Sequence, residues 1–431
     1  MDKIRIAVLG LGTVGQGVVM LLNSRADLLA SRAGCVIELK RVLEKYLTKK
    51  RDVRLPEGVC TNRWDEIVND PEIDIIVETI GGIEPARTYI LQALAAGKSV
   101  VTANNDLMAE HGAELLRAAM EAGKDLYFEN SVGGAIPLIR ALRQNLSAVR
   151  LDRIMGIING TTNYVLSRMG EGHSFDQALM EAREMGITEP DPRSDIEGYD
   201  ASRSAAILAT LAFHNQVHFS DVFVEGISEV TREDIAIARS LGYAIKLLAV
   251  CRNNGESIEA RVHPALLPLA HPLSAVRDTY YAIYVHGEEL GETMFYGLGA
   301  GRLPSAIAIL DDVVAVANNI RGDSQGRLTY VEPRALPILP MEETRTRYFL
   351  RLRLTDEKGV LARVAEILGS QGVSIARVSQ KVVEKGVAEI VFITHVAREG
   401  DMREAVSLIS KLDITREVLT LLRVEGNHRE D

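Results

Sequence analysis

Hydrophobic and polar positions fall in blocks whose period changes along the chain. Ile4–Leu9 is a short apolar run closed by Gly10, and Val18–Leu22 follow at helical density. Cys35–Leu43, Ile73–Val77, Ser99–Thr102 and Asp125–Glu129 read as further short strands. Between them, Pro85–Ala96 and Glu110–Ala122 read as helices, with Pro85 near the start of the first and Gly97 and Gly123 just past their ends. Strands alternating with helices predict an α/β region built on a doubly wound parallel sheet.

The texture changes after residue 130. Ser174–Met185, Tyr199–His214 and Arg232–Leu241 read as helices, the first with a Ser174/Gln177 capping-box pattern. Ala244–Cys251, Ile258–Val262, Tyr281–Val285 and Thr293–Tyr296 read as strands, and a helix around Leu310–Asn319 is expected to return to the first region. This predicts an α+β domain over 131–330 that carries substrate groups and a subunit interface. Residues 331–345, with Pro333, Pro337 and Pro340, read as a linker. Beyond it Tyr348–Leu354, Val360–Leu368, Val373–Lys381, Ala388–Val396, Met402–Ile409 and Glu417–Val424 give the order βαββαβ, a ferredoxin-like domain over 346–431.

Composition is ordinary for a globular chain: of 431 residues, 47% are hydrophobic and 25% charged, which excludes a disordered or fibrous protein. A net charge of −10 argues against nucleic acid or an anionic membrane as partner, without excluding a local basic pocket. No apolar run is expected to reach the roughly 18 residues of a membrane span. Cys35, Cys60 and Cys251 are scattered without metal-ligand spacing, and Met1-Asp2-Lys3 does not open a signal peptide. A reduced, cytoplasmic protein is the expectation.

The first chemical signal is Gly10-x-Gly12-x-x-Gly15 between a strand and a helix. Gly10 allows the tight turn, Gly12 lets backbone approach a pyrophosphate, and Gly15 lets helix and strand pack closely. The helix N-terminus then offers free N–H groups to phosphates. The 1–130 region is therefore expected to be a Rossmann-like dinucleotide-binding domain. Gly81-Gly82 and Thr102–Asp106, Asn104 included, stand at C-terminal ends of strands and are expected to line the cofactor cleft. Glu44, near the end of the second strand, suits a ribose diol and NAD. Lys45, Lys49, Lys50 and Arg51 suit a 2′-phosphate and NADP, and the choice stays open. Asp356–Leu361 forms a strand-to-helix turn that could hold a small carboxylate.

These stretches resemble the homoserine dehydrogenase family over nearly the whole chain, with a C-terminal domain similar to an ACT regulatory module. The resemblance rests on Gly10-Leu-Gly-Thr-Val-Gly15, Val77-Glu-Thr-Ile-Gly-Gly82, Val100-Val-Thr-Ala-Asn104, Ser131-Val-Gly-Gly134, Asn159-Gly-Thr-Thr-Asn163, Glu189-Pro-Asp-Pro192, Asp195-Ile-Glu-Gly-Tyr-Asp200 and Tyr296-Gly-Leu-Gly-Ala-Gly301. It implies interconversion of L-aspartate 4-semialdehyde and L-homoserine with NAD or NADP, in a homodimer or homotetramer. It also implies an amino-acid effector at the ACT domain. Gly10, Leu11, Gly12, Thr13, Val14 and Gly15, with Thr102 and Asn104, would bind the dinucleotide. Gly160, Thr161 and Asp195 would contact substrate, and Glu189 and Asp200 would grip its amino group and orient the reacting end. Glu129 with the carbonyls of Val132, Gly134 and Ile136 would hold a monovalent cation, sodium.

Two positions depart from the family pattern. Where the family reads Thr-Ala-Asn-Lys, this chain has Asn105, and where it reads Asp-x-x-Arg-Lys, this chain has Ser204. Asp200 and Ser204 are spaced i, i+4 and share a helix face. Lys98 and Lys124 do not stand where they could substitute. Hydride addition to an aldehyde builds negative charge on oxygen, which a lysine can stabilise and protonate. Asn105 and Ser204 can only donate hydrogen bonds. Losing a positioned general acid costs ~10²–10⁴-fold in rate. Two readings therefore stand: a slow or water-assisted dehydrogenase, for homoserine or for a related small substrate, and a regulatory homologue that binds nucleotide and amino acid without turnover. Tyr281, where the family commonly has Asn, bears on the choice of substrate.

Overall fold

The structure is a computed structural model that describes residues 2–48, 51–188, 191–326 and 335–426. It divides into two compact units. One comprises Met1–Ile154, Arg203–Ser220 and Tyr281–Ala335, the other Met155–Ser202, Asp221–Tyr280 and Leu336–Asp431. These units cut across the expected 131–330 region, because contacts rather than sequence order decide what packs together.

The first unit is built on six parallel strands: β1 (Lys3–Leu9), β2 (Val36–Leu43), β3 (Cys60–Thr61), β4 (Ile75–Glu78), β5 (Ser99–Thr102) and β6 (Leu126–Tyr127). Their order is β3-β2-β1-β4-β5-β6, so the direction of winding reverses between β1 and β4. The crevice at such a reversal, beyond the C-terminal strand ends, is where ligands bind in this fold. Ile6 and Val8 of β1 are fully buried and pack with Val18, Val19 and Leu22 of the helix Thr13–Ser24.

The helix Arg302–Arg321 joins the same core through Ile309, Leu310, Val313 and Val316. Its length and mean hydropathy of 1.4 are enough to cross a membrane, which corrects the expectation that no segment qualifies. Half of that stretch is buried against the sheet, and the helix carries Asp311 and the fully buried Asp312. A core helix satisfies the same length and hydropathy rule.

In the second unit, strands run in the order Tyr243–Asn253, Ile258–Pro268, Thr415–Val424, Arg345–Thr355, Val387–Thr394, Ile375–Glu384. The last four, with helices Val360–Ser370 and Glu399–Ser410, make the βαββαβ domain around a core of Tyr348, Leu350, Phe392, Val364 and Met402. The domain is not set apart by its linker. Thr415–Val424 pairs in parallel with Ile258–Pro268, Arg423 opposite Ala265 and Val424 opposite Leu266. Within the expected linker, the amide of Leu339 donates to the Ile258 carbonyl at 2.8 Å and the amide of Ile258 to Pro337 at 2.9 Å. Buried ion pairs reinforce the seam: Arg423 with Glu225 at 2.8 Å, Arg261 with Glu425 at 2.8 Å and Arg351 with Asp234 at 3.2 Å.

Candidate active site

The Gly loop leaves β1 with Gly10 at φ +92°, a conformation that disfavours a side chain. A Cβ on Gly15 would lie 2.0 Å from the Gly10 carbonyl oxygen, so only glycine lets the helix start this close to the strand. A Cβ on Gly12 would meet nothing within 4 Å. The side of Gly12 is open, as a pyrophosphate resting on backbone requires. Gly12 and Thr13 are exposed and Val14 half-buried. The loop opens on a cleft of about 550 Å³ that Gly10, Gly12, Glu44, Tyr46, Thr79 and Tyr89 help to line. An open, glycine-lined cleft at a helix N-terminus fits a dinucleotide.

Glu44 stands beside this loop. Its carboxylate accepts from the Leu11 amide at 3.1 Å and the Tyr46 amide at 3.2 Å, and pairs with Arg51 at 3.3 Å. The Leu11 amide is thus directed to Glu44 and not to a phosphate. Burial works against ionisation of Glu44, but the two amides and the Arg51 guanidinium outweigh it and hold the carboxyl below its usual range. Lys49 and Lys50 lie outside the described residues.

Thr102 and Asn104 differ from expectation. Both are buried, and their side chains are turned into the protein: Thr102 Oγ1 donates to Glu78 at 2.5 Å, and Asn104 Nδ2 donates to the Gly82 carbonyl at 2.7 Å. Asn104 also caps the helix Asn105–Glu121, its Oδ1 accepting from the Leu107 amide. These bonds position the loop ends.

Asn105 opens that helix and Ser204 lies buried on the helix Tyr199–Phe213. Asn105 Nδ2 donates to Ser204 Oγ at 3.1 Å, and next to them Arg203 pairs with Asp106 at 2.7 Å. Lys98 is buried with Nζ on the carbonyls of Asp70 and Ile73, and Lys124 donates to Gln325. Neither ammonium is directed to Asn105 or Ser204.

In the second unit, Asn159 caps the helix Gly160–Gly170 through Oδ1, and its Nδ2 donates to Asp195 at 2.8 Å and to Asp200 at 3.0 Å. Thr161 and Thr188 add hydroxyl donors to Asp195 at 2.9 and 3.0 Å. Asn159 thus joins the two carboxylates beside the start of this helix. Gly160 and Thr161 are buried in the first turn of the helix. Glu189 lies outside the described residues. Asn159 and Thr188, which bond these carboxylates, were not singled out from the sequence; an Asn before a glycine-started helix is an N-cap signal that could have found the first.

The expected cation site draws no support from the geometry. Glu129 is buried, and its two oxygens accept from the amides of Ile139 at 2.7 Å and Arg140 at 2.9 Å. The Ile136 carbonyl accepts from the Leu138 amide at 2.8 Å. Two of the four expected ligands, the others being Val132 and Gly134, are therefore already engaged by N–H groups. Nearby, burial pushes Asp312 up to about 7 despite its bond to Arg140 at 2.6 Å.

A Gly-loop cleft at the reversal of a doubly wound sheet defines a dinucleotide-dependent α/β oxidoreductase. Family profiles described as "Homoserine dehydrogenase, NAD binding domain", "Homoserine dehydrogenase" and "ACT domain" match residues 10–129, 137–314 and 348–413. A homoserine dehydrogenase of Bacillus subtilis is 43% identical over 99% of both chains. The crystal structure of a homoserine dehydrogenase from Thiobacillus denitrificans matches 99% of both chains with TM-score 0.93 and 41% identity. A hyperthermophilic archaeal homoserine dehydrogenase in complex with NADPH matches 73% of this chain and 97% of its own, with TM-score 0.62 and 25% identity. The chain belongs to the homoserine dehydrogenase family and carries a C-terminal ACT domain.

Proposed function

We propose that this chain binds NAD(P) in the Gly-loop cleft and interconverts L-homoserine and L-aspartate 4-semialdehyde at a rate held down by Asn105 and Ser204. The observation that carries the reading is Asn159 bridging Asp195 and Asp200. Asp195 and Asp200, joined by Asn159, offer carboxylates to the ammonium group of an amino-acid substrate at the helix start formed by Gly160 and Thr161, and Glu189 is proposed as a further carboxylate of the site. When bound, the dinucleotide supplies or accepts the hydride. Asn105 and Ser204 offer an amide and a hydroxyl to the reacting oxygen. Neither is an acid near neutral pH, so the proton passes to or from water. The Asp356–Leu361 turn is the proposed seat of an amino-acid effector, and the protein works as a homodimer or homotetramer. No ion takes part.

The hydrogen bond between Asn105 and Ser204 favours a second reading, in which the site binds both ligands without turnover. Homoserine oxidation with NAD and NADP, run beside calorimetric nucleotide binding, separates the two. Turnover supports the first reading, and binding without turnover supports the second.

A further inference from the structure

One buried carboxylate ties together the loops that follow β4 and β5. Glu78 ends β4 and is wholly buried. Its Oε1 accepts from the amides of Ile80 at 2.7 Å and Gly81 at 3.2 Å, and its Oε2 accepts from Thr102 Oγ1 at 2.5 Å. Thr102 Oγ1 in turn accepts from the Asn104 amide at 3.1 Å, and Asn104 Nδ2 donates to the Gly82 carbonyl at 2.7 Å. The result is a closed ring through Glu78, Thr102, Asn104, Gly82 and Gly81. Gly81 and Gly82 take φ +80° and +68°, the left-handed region in which the chain can fold back on the carboxylate.

The ring reaches two functional elements. The next residue after Glu78, Thr79, fastens its hydroxyl to the carbonyls of Leu9 at 2.9 Å and Gly10 at 3.0 Å, and Thr79 and Ile80 line the cleft. On the other side, Asn104 caps the helix whose first residue is Asn105. A buried carboxylate costs stability unless its lone pairs are used. An apolar residue here could join β4 to β5 through the sheet ladder alone. What the carboxylate adds is three donors drawn from two loops onto one group.

We propose that Glu78 is a positioning residue for dinucleotide binding, fixing the Thr79–Gly82 wall of the cleft and the start of the Asn105 helix as one body. The proposal rests on the dinucleotide reading. The test is calorimetric titration of the full chain with NADH and with NADPH, using the unsubstituted protein and Glu78→Gln, Thr102→Val and Thr102→Ser. Glu78→Gln and Thr102→Val should each weaken binding about tenfold, with the melting temperature lower by a few degrees only. The Glu78→Gln/Thr102→Val double change should bind no more weakly than the worse single change, because both open one ring. Thr102→Ser, which keeps the hydroxyl, should stay within about twofold.

Equal affinity in the unsubstituted, Gln and Val proteins overturns the proposal. So does a loss of affinity that merely accompanies collapse of the melting temperature in both variants. If Glu78→Gln does not fold, the Val and Ser changes at Thr102 decide: weaker binding by Val than by Ser supports the ring, and equal binding overturns it. Absence of binding in the unsubstituted protein removes the dinucleotide reading itself, and this proposal with it.

Discussion

Asn105 Nδ2 and Ser204 Oγ lie 3.1 Å apart in a direct hydrogen bond. The two positions that the sequence reading sets apart from the family pattern are thus partners, and the Asp106–Arg203 pair beside them holds the same two helices at 2.7 Å.

Restoring the lysines should raise activity. Asn105→Lys with Ser204→Lys should increase homoserine oxidation at least about a hundredfold over the starting protein, since stabilisation of the alkoxide and proton transfer are the missing roles. Either change alone breaks the Asn105–Ser204 bond without rebuilding the set and should give less than half of that gain on a logarithmic scale. Steady-state rates with saturating nucleotide check this.

Gly12→Val probes the cleft without disturbing the fold. The added side chain meets no protein atom within 4 Å, so the protein should fold normally. It would occupy the approach of the pyrophosphate, and nucleotide affinity should fall at least about tenfold by calorimetry. Gly15→Val should instead fail to fold, because its Cβ would stand 2.0 Å from the Gly10 carbonyl oxygen.

Glu44 should set the balance between the two nucleotides. Its ionised carboxylate stands beside Leu11, where a 2′-phosphate would meet like charge. Glu44→Ser also releases Arg51 from its ion pair at 3.3 Å. The ratio of NADP to NAD affinity should rise about tenfold, roughly one unit of favourable charge interaction. An unchanged ratio places the adenosine ribose elsewhere.

Acid stability should report the seam of the second unit. Burial alone would raise the Glu425 carboxyl, but Arg261 and Arg252 beside it hold it down to about 2. Its folded value is depressed, so its stabilisation is present above the unfolded carboxyl value near ~4.3 and is lost as pH falls through the folded one. Glu425→Gln should cost about 1–3 kcal/mol at neutral pH, because Arg261 loses one carboxylate partner and keeps Glu259. The difference from the unsubstituted protein should shrink as pH falls from about 4 toward about 2. Urea unfolding across that range checks both.

The alternation of apolar runs made β1, β2 and β5 legible, and the capping box of Ser174 and Gln177 is present as its spacing implied. The helix expected from Glu110 begins five residues earlier, at Asn105, where Asn104 caps it by accepting from the Leu107 amide. The seam between Ile258–Pro268 and Thr415–Val424 was not legible, since pairing between strands so distant in sequence leaves no local pattern. Glu78 was hidden for the same reason: it acts through Thr102, which only the fold brings to it.

The most direct test of the account is homoserine-dependent reduction of NAD and NADP at alkaline pH, followed in the unsubstituted protein and the Asn105→Lys/Ser204→Lys double variant. The account predicts slow but homoserine-dependent nucleotide reduction by the first and at least about a hundredfold faster reduction by the second. Normal nucleotide binding by both proteins, with no reduction by either, would contradict it.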